Sequence, residues 1–206
     1  MKPQKFDSLT LTTPPCRLTY AWLVEPDTKY PPAVYKVTAH IPAEQAAEIA
    51  EQLDAYYASY MQHLSGSAPG TKLQLNDKPY KFENDDQGRA VFSIKMKRTA
   101  NGVRTDGTTW SAEVALFDSQ GKPIVDRDGL KKMGPETTGR LNFAVSGYTG
   151  GKGTGVTCKV LGAQILEFVQ YTRGATSFGF QAETDGFKAG DITNTEEPAT
   201  EEAGNW

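Results

Sequence analysis

Helical periodicity occurs once in this chain, and that restricts the fold more than any other feature of the sequence. Residues 43–64 are rich in Ala, Glu and Gln, and Ile49, Leu53, Tyr56, Tyr57 and Tyr60 fall at the spacing of one helix face. A helix over about 43–64 is therefore expected. Pro42 precedes it, and the glycines and proline of 66–70 end it. Elsewhere the pattern is that of strands. Residues 18–24 and 34–41 are β-branched and aromatic, separated by Pro26-Asp27 and Pro31-Pro32. Residues 90–98 alternate, with Phe92, Ile94 and Met96 on one face and Ser93, Lys95 and Lys97 on the other. Trp110, Ala112, Val114 and Leu116 alternate again, and 138–148 and 156–171 read as strands around a glycine-rich turn. No period of 20–50 residues repeats, which excludes solenoids and propellers. Five or six strands with one early helix suit a small closed barrel. The expected fold class is mainly β: an OB-fold, a five- to six-stranded antiparallel Greek-key barrel with one inserted helix.

Charge divides the 206 residues unequally. Of 22 Lys and Arg and 25 Asp and Glu, residues 183–206 hold one and seven, which leaves 21 against 18 for the body. An acidic segment of low hydrophobicity cannot bury enough apolar surface to offset its ordering entropy, so the tail is expected to be disordered. Two units follow: a domain over 1–182 and an acidic tail over 183–206 whose last residue is Trp206. A flexible polyanion beside a basic surface competes there with other polyanions, nucleic acid foremost. At 38% hydrophobic residues the composition is that of a soluble globular protein, and no apolar run approaches the ~20 residues that span a bilayer. No membrane partner is expected. Met1-Lys2-Pro3-Gln4-Lys5 has no signal-peptide character, which implies a cytoplasmic protein with Cys16 and Cys158 as free thiols. Two Cys and two His, His40 and His63, give no metal-ligand spacing, and no cofactor is implied.

The motifs for chemistry are weak. Gly151-Lys152 resembles the end of a phosphate loop, yet Ser146 stands where its first Gly belongs and Gly153 where its Ser or Thr belongs. The stretch reads better as a hairpin tip, where Lys152 could still touch a phosphate. No nucleophile elbow or metalloprotease pair is present, and no catalytic residue is assigned. Glu83, Asp85 and Asp86 are the material of a metal-dependent nuclease, although three carboxylates beside Gln87-Gly88 also make an ordinary solvated turn. The basic strand face is more informative. Lys95, Lys97 and Arg98, with Arg140 and Tyr148 on a later strand, supply cations for a phosphate backbone and rings on which bases stack, at about 1–3 kcal/mol each. Tyr20 and Trp22 divide evenly between core and surface, Phe92 and Trp110 read as core, and Tyr148 reads as exposed.

Taken in order, these segments resemble the replication single-stranded DNA-binding proteins of tailed bacteriophages. The resemblance rests on 20–27 (Tyr-Ala-Trp-Leu-Val-Glu-Pro-Asp), on Val34-Tyr35-Lys36-Val37 followed by Ile41-Pro42 and the helix, on 118–122, on 141–148 with the hairpin and 156–168, and on the tail. It implies sequence-independent binding of single-stranded DNA, with the tail recruiting phage or host replication proteins and competing for the groove. Tyr148 matches a family aromatic at the DNA, and Trp206 the terminal aromatic. The family's Arg before Val-Tyr-Lys is replaced by Pro32-Ala33, and its second aromatic after Tyr148 by Gly150, which moves the expected contacts to Lys36, Lys95, Lys97 or Arg140.

The expected DNA contacts are thus Tyr20, Trp22, Lys36, Lys95, Lys97, Arg98, Arg140, Tyr148 and Lys152, and the tail contacts are Glu196, Glu197, Glu201, Glu202 and Trp206. The reading leaves room for a homodimer. Its rivals are an interaction module that binds no DNA and the metal-dependent nuclease.

Overall fold

Five strands close into a barrel. In the computed structural model, which describes residues 6–67, 74–151 and 153–171, these are β2 (Cys16–Asp27), β3 (Val34–Pro42), β5 (Ala90–Thr99), β9 (Thr138–Gly150) and β10 (Gly153–Glu167). β3 pairs antiparallel with β2 and with β5, and β9 pairs antiparallel with β10 and, at Cys16↔Gly139, with β2. The ring is completed by a parallel seam between β5 and β10 at Met96↔Cys158. This corrects the expectation of a wholly antiparallel barrel. A closed ring with an odd number of strands cannot alternate direction at every seam, so five strands require one parallel pair. Closure is that of an OB-fold, a mainly β barrel with one inserted helix.

Further strands decorate the ring. β1 (Leu9–Thr12) pairs with β9, β4 (Tyr80–Asn84) with β5, and β8 (Ala115–Phe117) runs parallel to β10. β6 (Asn101–Val103) and β7 (Thr109–Ser111) form a separate hairpin. The sequence pattern undercounted these pieces because most are only three to five residues long. Trp110 belongs to that hairpin, where its indole lies on Gly102, so it is no part of the barrel core as expected. The region of Glu83 is strand, not loop, up to Asn84.

The interior is filled by apolar side chains of the five strands. Leu18, Leu23, Val37, Ala39, Ile41, Phe92, Ile94, Met96, Leu141, Phe143, Val145 and Val160 are all buried. Complete burial of each Leu, Ile or Phe contributes roughly 1.5–3 kcal/mol. Cys16 and Cys158 are buried free thiols, and loss of solvation pushes the first up to about 11 and the second up to about 12. Neither offers a thiolate at neutral pH.

The helix, α1 (Ala47–Ser67), follows a single 3-10 turn at Ala43–Gln45, so it starts four residues later and runs three residues further than expected. Its buried face, Ile49, Leu53, Tyr56 and Tyr60, is the one the spacing identified. The Tyr60 ring lies against Gly147, where an added Cβ would come within 2.3 Å of it. Tyr56 Oη donates to the Asp7 carbonyl at 2.9 Å, and Tyr80 Oη donates to the Leu53 carbonyl at 3.1 Å. These contacts fix α1 against β9 and β4, leaving the outer wall of β2, β3 and β5 uncovered by it. Among the described residues no helix is long and apolar enough to cross a membrane.

Candidate nucleic-acid interface

Strand register sorts the outward side chains of β2, β3 and β5 into rows. Trp22 pairs with Lys36 and Lys36 with Lys97; Thr19 pairs with Thr38 and Thr38 with Lys95; Arg17 pairs with His40 and His40 with Ser93. Partners on adjacent strands sit about 5 Å apart, and rows about 7 Å apart. Lys36 directly opposite Lys97 is a like-charge pair that disfavours the sheet. Asp27 relieves one member by an ion pair to Lys36 Nζ, which holds the Asp27 carboxyl below its ordinary range. Lys95 and Lys97 are exposed, with no ion pair among the described residues. Lys36 also stands 5.8 Å from the centre of the Trp22 ring. Beside β5, the exposed Lys159 of β10 extends the row, since its neighbour Cys158 faces inward with Met96. The sequence reading passed over Lys159, although its alternation with Val156, Cys158 and Val160 marked it as outward.

The aromatic end of these rows is built by a bulge. Between the pairs Thr19↔Thr38 and Trp22↔Lys36, β2 has two residues where β3 has one. Tyr20 absorbs the extra residue with φ = 50°, a left-handed conformation that costs a residue with a Cβ about 1–2 kcal/mol. Its side chain is 76% exposed, and Trp22 is 46% exposed. So exposed a ring buries little to offset the strain, and strain of this kind gathers where a chain binds something. Both rings line a cleft of about 680 Å3 with Lys131, Lys132, Met133 and Tyr171.

The third row is sealed. Arg17 is buried and donates to Asp85 at 2.9 Å, Asp86 at 2.5 Å and Glu136 at 3.5 Å. The Asp85 carboxylate also accepts from the backbone N–H groups of Gln87 and Arg89 and from Arg89 Nε, each at 2.9 Å. Loss of solvation raises the Asp85 pKa, but the Arg89 and Gln87 donors outweigh it and hold the acid far below the ordinary carboxylate range. Glu83 is paired with Lys81. These engagements leave the three carboxylates of the nuclease reading as partners of cations rather than a converging ligand set, and no metal-holding cluster occurs among the described residues. His40 is hydrogen-bonded to Thr19 at 2.8 Å and Ser93 at 3.1 Å, and burial followed by the nearby Arg17 charge lowers its pKa.

The structure therefore brings Tyr20, Trp22, Lys36, Lys95 and Lys97 onto one wall, whereas Arg98, opposite the buried Tyr35, has the parity of inward Met96 and is half-buried at the strand end, off the lysine row. It separates Arg140, which is exposed but pairs with Gln164, six residues along β10 from Cys158 and so roughly 20 Å down the strand. Tyr148 is half-buried rather than exposed: it lies over Gly155, and its hydroxyl accepts from Asn76 Nδ2 at 2.9 Å. Lys152 and the tail residues Glu196, Glu197, Glu201, Glu202 and Trp206 lie outside the described residues. Tyr171 and Lys132, not among the expected DNA contacts, reach the cleft through pairing of 132–134 with 169–171.

Solved structures with a similar fold include single-stranded DNA-binding proteins of bacteriophages. One is gp2.5 encoded by bacteriophage T7, with TM-score 0.66 and 21% identity, covering 89% of this chain and 100% of that one. Another is the single-stranded DNA-binding protein from bacteriophage Enc34, with TM-score 0.59 and 11% identity over 83% of this chain and 90% of that one. The Enc34 protein in complex with single-stranded DNA gives TM-score 0.56 and 11% identity, covering 80% of this chain and 89% of that one. No protein-family model and no curated protein sequence matches this chain.

Proposed function

We propose that this chain is a non-enzymatic, sequence-independent single-stranded DNA-binding protein that coats and protects intermediates of phage replication, recombination or repair in the host cytoplasm. The observation that carries the reading is the outer wall of the barrel. Lys95 and Lys97, without an ion pair among the described residues, stand beside Lys36, and the row ends on exposed Trp22 and Tyr20. Cations set beside rings hold a single strand by its backbone and stack its bases without reading them. Support also comes from the shared fold, since the Enc34 protein has been solved with single-stranded DNA. The acidic tail, 183–206, acts as a competitor for this wall and as the site that recruits replication proteins. The test is an anisotropy titration of labelled single- and double-stranded oligonucleotides with the full chain and with the chain stopped at residue 190, at two salt concentrations. Salt-sensitive preference for the single strand, tighter without the tail, is expected. Absence of binding by both chains would refute the reading, and weaker binding by the shorter chain would refute competition by the tail.

A further inference from the structure

We propose that the cleft between the β2 bulge and residues 131–135 is a base-insertion subsite, in which one nucleobase of a bound single strand leaves the stack and lodges among Tyr20, Trp22 and Tyr171. The inference rests on the single-strand reading above and adds a pocket to what is otherwise an open wall.

Four observations lead there. Tyr20 is held in a left-handed conformation and projects its ring into solvent at the cleft, so the bulge presents an aromatic surface that the fold itself does not use. At about 680 Å3 the cleft lies within the roughly 300–1,000 Å3 of ordinary small-ligand sites. Tyr171, 49% exposed, is placed on the cleft by backbone rather than by chance: its N–H donates to the Lys132 carbonyl at 2.7 Å, and the Gly134 N–H donates to the Val169 carbonyl at 2.7 Å. The charges are also graded. Lys131 is occupied by Glu25 and Asp128, whereas Lys132 has no ion pair among the described residues and is exposed. The far wall carries Glu83, Asp85 and Asp86, whose charges are balanced by Lys81, Arg17 and Arg89. With those cations already engaged, the far wall offers a phosphate no free positive charge and sets carboxylates beside it, whereas an uncharged base meets no charge repulsion there. The base therefore enters, and its phosphate stays at the mouth with Lys132.

The decisive experiment photocrosslinks the full chain to an oligodeoxythymidine that carries 5-iodouracil and maps the adducts, alongside affinities for Tyr20→Ala, Tyr171→Ala, the double variant and Lys132→Ala. Adducts at Tyr20, Trp22 or Tyr171 are expected. Each single aromatic variant should bind roughly tenfold more weakly, and the double variant should lose much less than the product of the two losses, because both rings grip one base. If the unsubstituted chain binds but its adducts fall elsewhere, as on Tyr30 or Tyr148, and Tyr171→Ala binds normally, the subsite is wrong and the single-strand reading survives. Multiplicative losses would mean separate bases and would also overturn the pocket. Failure of the unsubstituted chain to bind would overturn both proposals. The adduct map uses no substitution, so it decides the matter even for a variant that fails to fold.

Discussion

Removal of Lys95 and Lys97 together gives the sharpest measure of the proposed wall. The two ammonium groups are exposed, lie on one strand two residues apart, and have no anionic partner among the described residues, so each is free to replace a condensed counterion on a bound strand. Each phosphate contact on single-stranded DNA contributes about 0.7 to the slope of log affinity against log salt, so Lys95→Ala with Lys97→Ala should flatten that slope by about 1.4. Over a tenfold rise in salt the unsubstituted chain should then lose about 25-fold more affinity than the variant, and the gap that separates them at low salt should close. Lys36→Ala should change the slope less than either single variant, because Asp27 already shares that charge. Lys78→Ala is the control: its ammonium pairs with Asp54 and lies 4.6 Å from the centre of the Tyr57 ring on the helix side. The assay is fluorescence anisotropy of a labelled oligodeoxythymidine at four or more salt concentrations. An unchanged slope in the double variant refutes the wall. An equal drop in Lys78→Ala would show that net charge alone is being measured.

Other outcomes follow from particular contacts. Tyr20→Gly should relieve the left-handed strain, leave stability unchanged or raise it by up to about 1 kcal/mol in denaturant titrations, and still weaken DNA binding; a clear loss of stability would mean that Tyr20 serves the fold. Gly147→Ala drives a methyl group into the Tyr60 ring and should cost about 1–3 kcal/mol; an unchanged melting temperature would contradict the seating of α1. Native-state pKa values of His40 and Asp85 lie below their unfolded values, so each group adds stability above its unfolded pKa that is lost as pH falls. Melts should therefore weaken first below about pH 6.5 and again below about pH 4, and Asp85→Asn, which exposes Arg17 to an unbalanced environment, should melt several degrees lower at neutral pH while losing most of the second step. A melting temperature flat from pH 7 to pH 3 would refute the linkage.

Much of the barrel is visible in side-chain alternation. Phe92, Ile94 and Met96 face inward and Lys95 and Lys97 outward, as their spacing requires. The same rule contained a signal that went unused: Leu18 and Leu23 are both buried, yet an odd separation cannot place both on one face of a regular strand. One extra residue must lie between them, and that residue is part of the Tyr20 bulge. β4 escaped because only five residues pair and Phe82 remains largely exposed despite alternating with Lys81 and Glu83. The Arg17 cluster had no local signature, since its partners lie 68, 69 and 119 residues away. Tyr171 and Lys132 meet at the cleft through a backbone pairing that no side-chain pattern announces.

The parallel seam at Met96↔Cys158 also orders events during synthesis. Until residues of β10 leave the ribosome, β2, β3 and β5, joined by β4 and then by β9, can assemble only as an open sheet that lacks the strand which closes it. The lysine rows would already exist on that sheet, while its apolar face would have no opposite wall to cover it. Closure joins residues 62 positions apart in the chain, a long-range contact of the sort that slows folding and prolongs exposure to aggregation. A nascent chain of this kind would carry its cationic surface before it had a finished interior. The last barrel strand to be made is thus the one that turns a sticky sheet into a protein.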